Sequence, residues 1–326
     1  MMDGFDPKWR DPEHYILGIT KAIWEDREIG SLTRYYGEDL VVRSPASVVK
    51  GNRGIIAATM ATLAEFPDRQ LYGEDVIWCA AKPLPGFLSS HRLICTATHS
   101  HPGVYGAPTR RRLHYRILAD CYCAEDAVQD EWLVRDQAAI VLQMGGDLEA
   151  WTRDLIAREG GPEACVKPYT PARDLPGPYT GRGNKSATAD ELASILRGIM
   201  DADFSVIPCS YDRACALHYP RHEHAHGTDA ADRFWLGLRA ALPSARFEVH
   251  HQMGSDDGML GARAAVRWSL TGPHDGWGRF GTPTGAELHV MGITHAEFGP
   301  RGLRREFTLI DETAIWKQIL LASGRV

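Results

Sequence analysis

The chain has 326 residues, room for about two domains of ordinary size, and its net charge of −6 with no long basic run argues against a nucleic-acid partner. Hydrophobic residues make up 44% and charged ones 24%, an ordinary globular balance. No apolar run approaches the ~20 residues a membrane helix needs. The acidic N-terminus lacks a signal peptide's basic start and apolar middle. Seven scattered cysteines point to reduced thiols and a cytoplasmic location.

In chain order, Asp11-Pro12 predicts a capped helix start, and Ile16, Ile19, Ile23 and Trp24 then recur at helical spacing. A short strand over 40–44 precedes a second helix carrying Ile55, Ile56, Thr59, Met60 and Leu63. Period-two alternation predicts strands over 71–79, 91–101, 111–123 and 128–136, then a helix over 137–144. Cys121 and Cys123, two apart in one strand, fit a shared face better than a redox pair. Residues 160–185 hold five Gly and five Pro, which marks a linker. Thr188 to Glu191 then reads as a capping box before Leu192, Ile195, Leu196 and Ile199. A strand over 215–220 and a helix with Phe234, Trp235, Leu238 and Leu242 follow. Strands over 246–253, 261–271, 286–298 and 303–311 and a helix over 312–321 complete the chain.

The two sides of the linker repeat each other. Gly51 and Pro67 bracket a helix as Gly227 and Pro243 do. A constant offset of 175 aligns Arg92 with Arg267, His99 with His274, Leu113-His114 with Leu288-His289, Glu131 with Glu306 and Asp136 with Asp311. Helices followed by a run of strands give an α+β domain. The expected division is 1–155, a linker over 156–185, and 186–326.

Several stretches carry a family resemblance. "EFPDRQLYGEDVIW" and "ALPSARFEVHHQMG" resemble the FPD-plus-strand segment of the SnoaL-like polyketide cyclases, within the nuclear-transport-factor-2-like superfamily. "VRWSLTGPHDGWGRFGTPTGAELHVMGITHAEFGPRGLRREFTLID" is similar to the same family, and "TATHSHPGVYGAPTRRRLHYRILADCY" with its later "DEWLVRDQAAIVLQMG" follows it more loosely. The resemblance implies a cone-shaped α+β barrel, a curved antiparallel sheet packed against N-terminal helices. Typical members are single domains that pair as homodimers. Two copies in one chain therefore imply an intramolecular pseudo-dimer, with a further homodimer left open. It also implies a small-molecule substrate, no cofactor and no metal, and an Asp near the last strand that removes a proton alpha to a carbonyl.

Alternation places Phe307, Leu309 and Asp311 on one strand face, as it does Trp132, Val134 and Asp136. An acid on an apolar face has a raised pKa, which suits a general base. The alternative for Asp311 and Asp136 is a cap on the helix that follows. His289 and His114 are candidate proton carriers. His274, His99, Trp268, His218, His295, Phe307 and Trp132 are candidate substrate contacts, with Trp268 and Trp277 as walls. His295 and Glu297 share strand parity with His289, which favours the second copy as the working site. Arg92 and Arg267 suit strand-face ion pairs, and Glu131 and Glu306 have the parity of outward-facing residues. The stretch "HYPRHEHAHG" is open to three readings: a zinc site through His222, His224 and His226, a solvated loop, or a pocket mouth at His218 or His222. No P-loop, Rossmann glycine pattern or nucleophile elbow is present. The expected function is cofactor-independent acid/base chemistry of cyclase, isomerase or lyase type on a small, partly apolar carbonyl compound. Asp-activated epoxide hydrolysis and a non-catalytic ligand-binding module are the alternatives.

Overall fold

Each alternating run becomes a strand and each apolar stripe a helix. The computed structural model describes residues 2–179 and 181–326. Helix α1 (Pro12–Thr20) starts at Asp11, whose side chain accepts from the His14 N–H, with Pro12 where a missing N–H costs nothing. A π-helical stretch (Lys21–Glu25) extends it. Then come α2 (Leu32–Tyr35), β1 (Tyr36–Ser44), β2 (Ser47–Lys50), α3 (Asn52–Glu65), β3 (Gln70–Ala80), β4 (Phe87–Thr98), β5 (Arg112–Ala124), β6 (Ala127–Arg135) and α4 (Gln137–Gln143). An additional helix, α5 (Leu148–Arg158), carries regular structure past residue 155.

The second half runs α6 (Ala187–Met200), α7 (Val206–Ser210), β7 (Tyr211–Tyr219), β8 (Glu223–His226), α8 (Thr228–Ala241), β9 (Arg246–Asp256), β10 (Ala262–Pro273), β11 (Glu287–Gly299), β12 (Gly302–Ile310) and α9 (Glu312–Ser323). Ser186 caps α6, two residues ahead of the expected Thr188 box. No helix among the described residues is long and apolar enough to cross a membrane.

The strands form two six-stranded sheets of one design, β2-β1-β6-β5-β4-β3 and β8-β7-β12-β11-β10-β9. Neighbours are antiparallel except for one parallel pair in each, β1 with β6 and β7 with β12. The registers repeat as well: Glu131 lies opposite Val42, and Glu306 opposite Leu217. Each half is therefore a copy of one α+β cone, and the chain is its own pseudo-dimer.

One face of each sheet is covered by its own helices, and the other packs against the second sheet. Leu118, Val134, Met291, Ile293 and Leu309 form a buried cluster in this seam. Ile77, Leu88, Met253 and Ala265 belong to another. The seam repeats a polar device in both directions. The Arg92 guanidinium lies 3.6 Å from the Phe307 ring centre, and that of Arg267 lies 4.0 Å from the Trp132 ring centre. Arg267 Nε donates to Asp120 at 2.9 Å, and Arg92 Nη2 to Glu297 at 3.2 Å. These are the ion pairs expected of the two arginines, made across the halves.

Among its described residues the Gly/Pro-rich segment holds a short 3₁₀ turn (Pro171–Arg173) and a single bridge from Gly183 to Gln252, yet it is packed. Tyr169 is buried in the seam cluster. Arg43 binds Asp130, Asp174 and the Leu175 carbonyl, and the Tyr179 N–H donates to Asp130 at 2.9 Å. A Cβ on Gly177 would stand 2.0 Å from the Asp130 carboxylate, so glycine lets the strap lie flat here.

Candidate active site

Strand parity decides what reaches the inside of the first cone. Along β6, Glu131, Leu133 and Arg135 face the cavity beneath α1 and α3, whereas Trp132 and Val134 face the seam. This corrects the expectation that Glu131 and Glu306 point outwards. The seam buries the outer face too, so both faces of the strand are apolar and alternation alone cannot say which one is the cone.

The cavity encloses about 180 Å³. Its walls are mainly apolar, with Ile16, Ile19 and Ile23 from the first helix and Val42, Leu93 and Ile117 from the sheet. The polar groups among them include Glu131, His91, Tyr36, Arg69, Arg135 and Thr59. Glu131 is buried, and burial pushes its carboxyl up to about 7. The Tyr36 hydroxyl opposes that rise, Asp130 adds to it and Arg135 opposes it. Burial pulls His91 down to about 4, so its imidazole is neutral at pH 7, and among the described residues its Nδ1 has no hydrogen-bond partner. Arg69 Nε donates to the Tyr115 hydroxyl at 3.0 Å. The cavity thus pairs a carboxyl raised to about 7 with a neutral ring whose Nδ1 has no hydrogen-bond partner among the described residues. That combination can take and return a proton.

The second cone keeps the glutamate and fills the space. Trp235, Trp268, Phe234, Leu238 and Tyr219 belong to one continuous core cluster there. In the first half two separate clusters flank the cavity. Strand register and helix position make Trp268 the counterpart of Leu93, Val266 that of His91, and Trp235 that of Thr59. Glu306 accepts from Tyr211 at 2.8 Å, Tyr219 at 3.0 Å and Thr308 at 2.6 Å. Its carboxyl is raised by burial, with these hydroxyls opposing the rise.

The residues singled out from sequence lie elsewhere. Asp136 and Asp311 cap α4 and α9. Asp136 accepts from the Ala139 N–H and, across the halves, from those of Arg221 and His222. Asp311 accepts from the Thr313 and Ala314 N–H groups and the Thr313 hydroxyl. Burial raises both, Asp136 to about 7, but neither lines the cavity. His99 and His274 brace equivalent loops through Thr109 and Thr284, and His99 also meets Glu65 at 3.2 Å. His289 sits 2.8 Å from the Thr271 hydroxyl, and His295 meets Ser90 in the seam at 2.8 Å. Burial lowers these two, to about 4 and about 3. Phe307 and Trp132 carry the seam arginines. Trp268 donates to Thr294 inside the second core, and Trp277 is exposed. The favoured second copy is therefore the filled one. His91, Arg69, Arg135 and Tyr36 are not among the residues expected from sequence; only Arg135 shares strand and parity with Glu131, while the others come from β4, β1 and the turn before β3.

The histidine-rich stretch divides between strand and turn. His218 and His224 lie opposite each other on β7 and β8, and His222 sits in the turn between them with a positive φ. The extended run that would align His222 with His224 and His226 is therefore broken. His218 stacks on Phe307 at 4.4 Å within the second half, and His114 stacks on His222 at 6.0 Å across the two halves. Among the described residues, no group of three or more His, Cys, Asp or Glu is placed to hold a metal ion.

Comparison with known proteins gives one family match: the SnoaL-like domain covers residues 177–304. Among solved structures, IdmH of Streptomyces antibioticus, a proposed polyketide cyclase, is 19% identical. It aligns over 42% of this chain and 99% of its own, with a TM-score of 0.37. AclR of Streptomyces galilaeus, a proposed hydroxylase, is 19% identical over 41% of this chain and 85% of its own, with a TM-score of 0.36. A proposed SnoaL-like polyketide cyclase from Jannaschia sp. CCS1 is 16% identical over 43% and 97%, with a TM-score of 0.35. No curated protein matches the chain.

Proposed function

Because the second half of the chain is a SnoaL-like domain and the first repeats its strand order, we propose that this protein is an acid/base enzyme whose working site is the first cone. The substrate is a small, partly apolar carbonyl compound, and the reaction is of cyclase, isomerase or lyase type. The observation that carries the reading is the Glu131 carboxyl, buried in a largely apolar cavity and pushed up to about 7. A base with that pKa is ionised often enough to act and, once protonated, acid enough to give the proton back.

In this reading the ionised Glu131 removes a proton alpha to the carbonyl. Negative charge moves to the carbonyl oxygen, where the neutral His91 ring, with Nδ1 protonated, donates a hydrogen bond. The protonated Glu131 then returns its proton to carbon or to a departing oxygen. Asp136 and Asp311 are not needed for either step, since their oxygens already hold helix caps.

The test is exchange of the alpha protons of ring ketones such as 2-tetralone in D₂O, followed by NMR. Wild type accelerates exchange, and Glu131→Gln slows it by about 10²–10⁴-fold, the usual contribution of a positioned acid/base group. Undiminished exchange in a folded Glu131→Gln protein would remove Glu131 from the role. If wild type exchanges none of a panel of ketones, the cone is a binding module.

A further inference from the structure

Two guanidinium groups face the first cavity, and among the described residues neither makes an ion pair with a carboxylate. Arg69 is buried, and its sole side-chain hydrogen bond among the described residues goes to the neutral Tyr115 hydroxyl. Arg135, the last residue of β6, is half-buried, and its Nε is buried without a partner among the described residues. The other buried arginines behave differently. Arg43 holds Asp130 and Asp174, Arg92 holds Glu74 and Glu297, Arg263 holds Asp75 and Asp257, and Arg267 holds Asp120. Burying a cation without an anion is costly, and among the described residues the other fully buried arginines keep the pairing rule.

The second half supplies an independent observation. By register, Ala245 stands where the first half has Arg69, and Ile310 where it has Arg135. The cone that lost its cavity also lacks both arginines, so the pair belongs to the cavity and not to the needs of the fold. Arg69 donates to the Tyr115 hydroxyl on β5, and Arg135 lies opposite Ile117, two residues further along the same strand, which places both at one end of the space. Tyr115 belongs to one flanking cluster, and Ile16, Ile19 and Ile23 to the other.

We infer that the first cone takes a keto acid: a carbonyl compound with a free carboxylate, bound by Arg69 and Arg135, whose hydrocarbon part rests against Ile16, Ile19 and Ile23. This rests on the first cone being the working site and narrows its substrate class. Arginine suits the task because its planar, permanently charged fork matches a carboxylate.

The experiment is titration calorimetry of the full chain with 4-oxo-4-phenylbutanoate, 5-oxo-5-phenylpentanoate, their methyl esters and inorganic phosphate. The expected result is that at least one acid binds more than tenfold tighter than its ester and than phosphate. Arg69→Met and Arg135→Met each lose that preference, with ester binding unchanged. Arg69→Lys, which keeps the charge, retains part of it. Glu131→Gln keeps acid affinity even where it loses proton exchange, so the anion site and the base are read separately. Esters binding as well as acids, phosphate matching the acids, no acid binding at all, or a preference that survives both methionine variants would each overturn the inference. The acid-to-ester ratio of wild type decides the matter even if a variant fails to fold.

Discussion

At positions 131 and 306 a glutamate faces the inside of a cone, with a tyrosine at the start of the neighbouring strand each time, Tyr36 and Tyr211. What differs is the next ring of residues. Glu306 has Thr308 and Tyr219 as donors, where register gives the first half Leu133 and Ser44. Above it, Trp268 and Trp235 fill the space that Leu93 and Thr59 leave open. Both acids are raised by burial. One is tied to three hydroxyls in a solid core, and the other borders a cavity. A buried carboxyl becomes structural or chemical according to the space and donors around it, not through its own identity.

Exchanging the plugs should break that contrast with the largest effect. Trp235→Thr empties part of a core in which Trp235 is fully buried, and should cost about 3–5 kcal/mol in urea unfolding. A loss below about 1 kcal/mol would mean that the second cone is not packed as described. The reverse change, Thr59→Trp, places an indole where the cavity lies. It should abolish ketone binding and alpha-proton exchange while leaving the circular dichroism of the fold intact.

The duplication, the strands and most helix limits were legible in the sequence, because alternation, caps and turns are local signals. The orientation of each sheet was not. In a lone cone the outer face would be polar and Glu131 would stand out against it. Here the second half covers that face, and Trp132, Val134 and Asp136 look as core-like as Leu133. Trp268 read as a wall because its register partner was out of view. Gly292 lies opposite it on β11, and a Cβ there would meet the indole at 2.2 Å. Ile117 opposes Leu93 in the first half. The tryptophan and the glycine together make the plug, and only pairing across strands reveals it. The unpaired state of Arg69 and Arg135 was likewise invisible, since it depends on what is absent from their surroundings.

A pH series sharpens the comparison at intermediate size. The Glu131 carboxyl rises from an ordinary 4.5 to about 7 on folding. The folded state therefore holds the proton more tightly, and stability from this group is present at low pH and lost as pH rises from about 4.5 through 7. Glu131→Gln removes that loss. At pH 8 it should be more stable than wild type by about 3 kcal/mol, and the advantage should vanish near pH 4.5. Asp136 shifts in the same direction, so the difference between the two proteins, rather than the wild-type curve alone, isolates Glu131. An advantage independent of pH would show that packing, not ionisation, separates Gln from Glu at this site.

The smallest effect belongs to the acids that close the last strands. Asp311 binds two backbone N–H groups and a hydroxyl at the start of α9, and it lies outside the cavity. Asp311→Ala should cost about 1 kcal/mol of stability, the ordinary value of an N-cap, and Asp311→Asn should recover most of it because an amide oxygen caps as well. Proton exchange should be unchanged in both. A cap tolerates Asn and a general base does not, so the two roles part at this one substitution. Loss of exchange in a stable Asp311→Asn protein would return the chemistry to the second half and to the acid at the end of β12.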